Sequence, residues 1–140
     1  MADVHSKDVR SFNMSRIRSK DTKPEIVVRK RLFSMGFRYR IHDKLFPGKP
    51  DIILPRYRTV IFINGCFWHG HHGCKYFIIP KTRTEWWTSK ISSTSINDLK
   101  VSEQIRLKGW QVITIWECEL RKNQLEMTME RLVSSIRANV

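Results

Sequence analysis

The run "TVIFIN", residues 59 to 64, most narrows the folds open to this chain. Its four consecutive apolar residues show neither the alternation of a strand with one wet face nor the length of a buried helix. They read as a strand covered on both faces, which requires helices above and below a sheet. "WQVITIW" at 110 to 116 predicts another buried strand. Ile52, Ile53 and Leu54 predict a third, entered from the Pro/Gly turn "FPGKPD" and closed by Pro55. "FRYRI" at 37 to 41 is read as a short strand ahead of them.

Three helices are expected around these strands. Thr22 with Glu25 makes a capping-box pattern, Pro24 falls in the first turn, and Ile26, Val27, Leu32 and Phe33 form a stripe that Gly36 ends. "TRTEWWTSKI" opens a second helix, with Thr84 as candidate cap, running toward Leu107 and stopping at Gly109. "NQLEMTMERLVSSIRANV" closes the chain as a third, with Asn123 and Glu126 as another capping-box pair. The order helix, strands, helix, strand, helix gives an α/β sandwich, a mixed β-sheet flanked by helices.

A chain of 140 residues with 41% hydrophobic content suits one domain. We place that domain at 22–140 and read 1–21, polar and basic, as an arm that orders on binding. No run approaches the ~20 apolar residues that span a bilayer, and the first twenty residues do not resemble a signal peptide. A cytoplasmic or nucleoid location is expected.

Lys and Arg number 26 against 13 acids, a formal charge of +13. Residues 1 to 60 hold 15 basic and 6 acidic side chains, so +9 of the excess lies in the first part of the chain. Polyanions are the partner such a balance favours. A membrane surface is disfavoured, because no strongly apolar helical face accompanies the charge.

"GCFWHGHHGC", residues 65 to 74, sets Phe67 and Trp68 between a cysteine and a cluster of histidines. The chain has three cysteines, Cys66, Cys74 and Cys118, an odd number that argues against a disulfide framework. Together with His71 or His72 they supply three thiolates and one imidazole, a ligand set that structural Zn²⁺ accepts in tetrahedral geometry. A loop this rich in Gly has little core of its own, so coordination would contribute most of its order. The alternative is buried free cysteines beside exposed histidines.

Asp51 stands at the entrance of one strand, with "TVIFIN" a few residues later. Many metal-dependent nucleases hold Mg²⁺ with a Pro-Asp at such a place and complete the site with an acid-x-Lys on the next strand. Here Ile61, Phe62, Ile63 and Asn64 fill that stretch, so the second acid and the lysine are missing. A backbone carbonyl such as that of Ile63 can still coordinate a hard cation. His69, on the loop leaving that strand, is a candidate for activating water. Duller roles remain open: Asp51 as a turn residue, Glu25 as a capping-box partner, His69 as a zinc ligand or an exposed side chain.

Taken together, "RSKDTKPE", "FPGKPDIILPRYRTVIFINGCFWHGHHGC", "PKTRTEWW" and "GWQVITIWECEL" resemble the very-short-patch repair (Vsr) mismatch endonucleases over roughly residues 1 to 122. The resemblance implies a restriction-endonuclease-like three-layer sandwich, a structural zinc, and Mg²⁺-dependent hydrolysis of a DNA phosphodiester. Its implied substrate is double-stranded DNA with a T:G mismatch left by deamination of 5-methylcytosine, nicked on the 5′ side of the thymine. Position by position it implies Asp51 as the magnesium carboxylate, Ile63 as the residue lending its main-chain carbonyl, His69 as general base, and Glu25 as an acid holding water on the metal. Cys66, His71, Cys74 and Cys118 match the zinc ligands, and Phe67, Trp68 and Trp87 the aromatics that enter the DNA stack. Cooperation with the mismatch-repair protein MutL is implied as well, and action as a monomer is expected.

Unstacking a base step costs a few kcal/mol. The wedge must therefore be held in place beforehand, which a zinc-anchored loop would do, and a weakly stacked T:G pair lowers the cost. Arg16, Arg18 and Lys20 in the basic arm would clamp backbone phosphates and make affinity salt dependent. Three departures from the family pattern stand out. Gly73 is an additional residue between histidine and cysteine, which keeps His72 in consideration. Asn64 stands where some relatives have a second active-site histidine, leaving the leaving-group acid unassigned. Thr94 and Asn97 in "STSINDLK" replace an Asn and an Arg, which weakens any auxiliary role for Asp98. The alternatives are a restriction-type endonuclease acting on paired DNA and a zinc-stabilised DNA-binding module without catalysis.

Overall fold

The apolar run forms the middle of the sheet. In the computed structural model, which describes residues 22–139, strand β2 (Thr59–Asn64) lies between β1 (Ile52–Leu54), antiparallel to it, and β3 (Gln111–Trp116), parallel to it. Ile52 pairs with Ile61, and the parallel ladder ends at Asn64 opposite Trp116. A parallel pair needs a long crossover, and helix α2 (Thr84–Leu107) provides it.

Alternating side chains divide the core in two. Ile52, Leu54, Ile61 and Ile115 face Val28 and Leu32 of α1 (Lys23–Ser34) and Met129, Leu132, Val133 and Ile136 of α3 (Leu125–Ala138). Ile53 and Val60 face the other way, onto Val101 and Ile105 of α2. Helices thus cover both faces of a small mixed sheet, as the unbroken apolar run predicts, and each such aliphatic side chain contributes roughly 1.5–3 kcal/mol by burial. Among the described residues, no helix is long and apolar enough to cross a membrane.

Several local expectations need correction. "FRYRI" makes an isolated bridge, Arg40 with Ile53, rather than a strand. β1 offers only three residues to pair with, and His42, at φ 57°, turns the chain away. β3 is mostly half-buried instead of covered, because it is the sheet's edge and Thr114 is exposed.

Neither capping box forms. Thr22 and Gln124 are the N-caps of α1 and α3 without side-chain cap bonds, and Glu126 pairs with Arg31 across the two helices. Thr84 is the first residue of α2, and its hydroxyl donates to the carbonyls of Pro80 and Lys81. The buried stripe of α1 is Glu25, Val28, Arg29 and Leu32, while Phe33 is 55% exposed. Two charged residues on the buried face of a helix need a physical reason, and the end of the sheet supplies it.

Candidate active site and metal cluster

β1 enters beside the end of β2, and β2 and β3 finish together, so one edge of the sheet collects the start of the first strand and the exits of the other two. A cleft of about 660 Å³ opens there, lined by Glu25, Asp51, Ile63, Asn64, Trp68, His69 and Asp98 among others. Asp51 is fixed by its own backbone, whose N–H donates to the Ile61 carbonyl at 3.0 Å. Its Oδ2 accepts the N–H of Ile63 at 2.6 Å.

Burial pushes the Asp51 carboxyl up to about 7, against the opposing pull of the Ile63 N–H, and the neighbouring Glu25 carboxyl adds to the rise. Glu25 comes from the buried face of α1, is 3% exposed, and accepts from Arg29 Nη2 at 3.0 Å. Two carboxyls sharing a desolvated corner repel unless a proton or a cation joins them. The pair therefore fits a hard cation with oxygen ligands, one that completes its shell from outside the protein.

His69 is held by two residues of one face of α2. Ser95 Oγ donates to the His69 carbonyl at 3.1 Å, and Asp98 Oδ2 lies 2.6 Å from His69 Nδ1. The close approach of loop and helix is possible because residue 70 is glycine. A Cβ on Gly70, at φ +64°, would lie 2.7 Å from Ile91 Cγ2. With Nδ1 bonded to a carboxylate, the imidazole presents Nε2 as the basic atom, the arrangement a general base requires.

On the far side of this loop, one ligand atom each from Cys66, His71, Cys74 and Cys118 lies within 4.8 Å of the others. The structure brings His71 and not His72 to the cluster; His72 is exposed, edge-on to Phe77. The Cys118 N–H donates to Cys66 Sγ at 3.4 Å, and Cys118 Sγ lies 3.5 Å from His71 Nδ1.

Burial pushes the Cys66 thiol up, and burial with the adjoining thiols of Cys66 and Cys74 pushes Cys118 up to about 12. At Cys74 burial acts in the same direction, but N–H groups of Tyr76 and Phe77 and the other two sulfurs outweigh it and the value falls. Crowded thiols that impede each other's ionisation, with an imidazole beside them, could hold a metal ion, because a coordinated thiol is deprotonated outright. Trp116 joins this cluster to the cleft: the His71 ring stacks on it at 4.1 Å, and His69 meets it edge-on at 6.5 Å.

Phe67, Trp68 and Trp87 pack on one another, with ring centroids 5.3 to 5.7 Å apart. Trp68 is 39% exposed and lines the cleft. Trp87 is the half-buried member of the Trp pair and Trp86 the exposed one. The three rings form an apolar ledge at the rim of the acidic site.

The family model for DNA mismatch endonuclease Vsr matches residues 2–75, more than half of the chain. The chain belongs to the Vsr family. The type II nicking enzyme V.NmeAIP of Neisseria meningitidis serogroup A is 46% identical over 138 residues, 98% of both chains. The type II nicking enzyme V.XorIIP of Xanthomonas oryzae pv. oryzae is 43% identical over 120 residues, 86% of this chain and 88% of that one. The DNA mismatch endonuclease Vsr of Escherichia coli K12 is 41% identical over 136 residues, 97% of this chain and 86% of that one. Family membership makes this a DNA endonuclease, and DNA its partner.

Of the Vsr-pattern residues read from the sequence, Glu25, Asp51, Ile63, Trp68 and His69 line one cleft, while the three cysteines and His71 cluster beside it. Arg16, Arg18 and Lys20, with the rest of the arm, lie outside the described residues. Sequence reasoning undervalued Asp98 and missed Ser95 and Trp116. Ser95 and Asp98, three apart on a helix, share a face, but nothing in the sequence indicated that this face meets His69.

Proposed function

We propose that this chain is a strand-specific mismatch endonuclease, nicking DNA 5′ of the thymine in T:G mismatches that arise from 5-methylcytosine deamination. The observation carrying this reading is the cleft in which Asp51, Glu25 and an Asp98-bonded His69 converge under a ledge of three aromatic rings. Asp51, with the main-chain carbonyl of Ile63, would hold Mg²⁺, and Glu25 would hold water beside it. The ion supplies electrostatic stabilisation of the charge that develops on the phosphate.

His69 takes a proton from the attacking water at Nε2, and Asp98 fixes the tautomer and offsets the resulting imidazolium charge. Arg29, bonded to Glu25 at 3.0 Å, holds its carboxylate in place at the cleft. Cys66, His71, Cys74 and Cys118 would hold Zn²⁺, which takes Cys₃His sets in closed structural sites. That coordination stiffens the loop carrying Phe67 and Trp68, so that with Trp87 they enter the stack beside the mismatch without a further ordering cost. The fold we propose for the family pattern is the restriction-endonuclease-like sandwich, with 22–140 as its domain and 1–21, including Arg16, Arg18 and Lys20, as a basic clamp on the phosphates. Action as a monomer in the bacterial nucleoid, in cooperation with MutL, completes the proposal.

One assay tests it: purified protein with Mg²⁺ is offered T:G and C:G duplexes of the same sequence, each strand labelled. A single nick 5′ of the mismatched T is expected. Cleavage of the paired duplex at the same rate would identify a restriction-type enzyme, and binding without any product a DNA-binding module.

A further inference from the structure

The cleft is acidic for a site that must admit a phosphodiester. Glu25, Asp51, Asp98 and Glu117 all line it, and Lys49 is the one lysine or arginine among the described residues that do. The nearby Arg29 is 9% exposed and bonded to Glu25, and is not part of the lining. Lys49 also belongs to the stretch that leads into Asp51, whereas the following strand, Ile61 to Asn64, carries no basic side chain.

The backbone at Lys49 is unusual. Its φ is 50°, directly after Gly48 at 74°, a left-handed conformation in which any side chain with a Cβ is crowded. The segment has no freedom to relax. A Cβ on Gly48 would lie 2.4 Å from Val101 Cγ1, so the backbone is pressed against α2. On the other side Pro50 is buried, and the Asp51 N–H is tied to the Ile61 carbonyl at 3.0 Å. A strained residue persists where its surroundings over-determine it, and such residues cluster at functional sites. Glycine would occupy position 49 more easily, yet the chain places a cation there, on the wall of an otherwise anionic cleft.

The geometry points to Lys49 as the residue whose ammonium group pairs with the scissile phosphate, the positive charge that β2 does not supply. This assignment rests on the proposed reading of the cleft as the place where the phosphodiester is cut. No bond is made or broken at Lys49. Its ammonium donates hydrogen bonds to a non-bridging oxygen, and the attraction grows as negative charge builds on the phosphate in the transition state. The backbone conformation fixes where the side chain leaves the chain, two residues before Asp51 on the same cleft wall, and the ammonium meets the phosphate from there.

The test compares wild type with Lys49→Arg, Lys49→Gln and Lys49→Gly. In single-turnover nicking of a T:G duplex with Mg²⁺, Lys49→Gln is expected to be slower by about 100-fold, the scale for removing one preorganised charge-stabilising donor, and Lys49→Arg to stay within about tenfold of wild type. Lys49→Gly should be as slow as Lys49→Gln while melting at the same temperature as wild type or a few degrees higher, because the strain is relieved. Binding in metal-free buffer gives a readout free of cleavage. Lys49→Gln should weaken affinity by about tenfold, as for a hydrogen bond to a charged group, and this deficit should vanish on a duplex with a neutral methylphosphonate at the cleaved position. Wild-type nicking with Lys49→Gln within threefold of it, or a binding deficit undiminished on the methylphosphonate duplex, overturns this assignment alone. A wild-type protein that leaves the T:G duplex intact refutes the proposed function and this assignment with it.

Discussion

Replacing Asp98 by asparagine separates the charge of the His69 partner from its shape. The amide oxygen introduced by Asp98→Asn can still accept a hydrogen bond from Nδ1–H across the 2.6 Å that separates the two groups, so the imidazole keeps its orientation while losing a neighbouring negative charge. Opposite unit charges about 4 Å apart attract by about 4 kcal/mol at an effective dielectric of 20. The two side chains are 28% and 35% exposed, and screening at such exposure leaves roughly 1–2 kcal/mol. That energy matters only once His69 has taken a proton, so it falls on the chemical step: about 5- to 30-fold in rate. Single-turnover nicking of a T:G duplex at saturating protein should show that loss with duplex affinity unchanged. The melting temperature should stay within a degree or two, since a partly exposed pair contributes little to stability. Nicking by Asp98→Asn within twofold of wild type would refute the role given to Asp98, and an equal loss in affinity would show that the carboxylate positions DNA instead.

Asp51, whose pKa burial raises to about 7, should make the metal-free protein less stable as pH rises. The folded state prefers the neutral acid, so the contribution is most favourable below the unfolded pKa near 4 and is lost as pH climbs through 7. Asp51→Asn should abolish nicking yet melt higher than wild type at pH 8 in chelator, by a few kcal/mol at most, with the difference vanishing near pH 4; parallel melting curves would contradict this. Zinc uptake by Cys66, His71, Cys74 and Cys118 should release protons, because Cys66 and Cys118 are raised and protonated at neutral pH. Calorimetry in buffers of different ionisation enthalpy should find net proton release and affinity rising steeply with pH, whereas pH-independent binding would exclude this cluster. Gly70→Ala should cost about 1–3 kcal/mol of stability, since its methyl would meet Ile91 at 2.7 Å in a left-handed backbone; thermal denaturation reads this directly, and an unchanged melting point would show that the loop does not rest on α2.

Local chemistry made some of this molecule legible in sequence and long-range packing concealed the rest. β1 and β2, with the turn before Asp51, follow from apolar runs and proline. The end of α2 near Gly109 and the candidate metal-ligating set follow from residue types that have few other uses. The capping patterns failed because Glu25 and Glu126 are claimed by Arg29 and Arg31, and because α3 takes Gln124 rather than Asn123 as its N-cap, which moves Glu126 out of the reciprocal position. Glu25 also interrupts the apolar stripe of α1, an acid lining the cleft at a position where periodicity expects a hydrophobe. Ser95 was invisible and Asp98 discounted for a different reason: their contacts with His69 depend on which loop rests on α2, and only tertiary structure holds that information.

Cys66 and Cys118 each stand two residues beyond the last paired positions, Asn64 and Trp116, of strands that run the same way. Shifting one strand by a single residue would displace its thiol by about 3.3 Å and turn it to the opposite face, and the four donor atoms, now within 4.8 Å, could no longer close around one ion. Metal capture at this cluster would therefore work as a gauge of correct assembly: a misaligned β2–β3 pair would gain nothing from the ion, and only a correctly matched one would be locked.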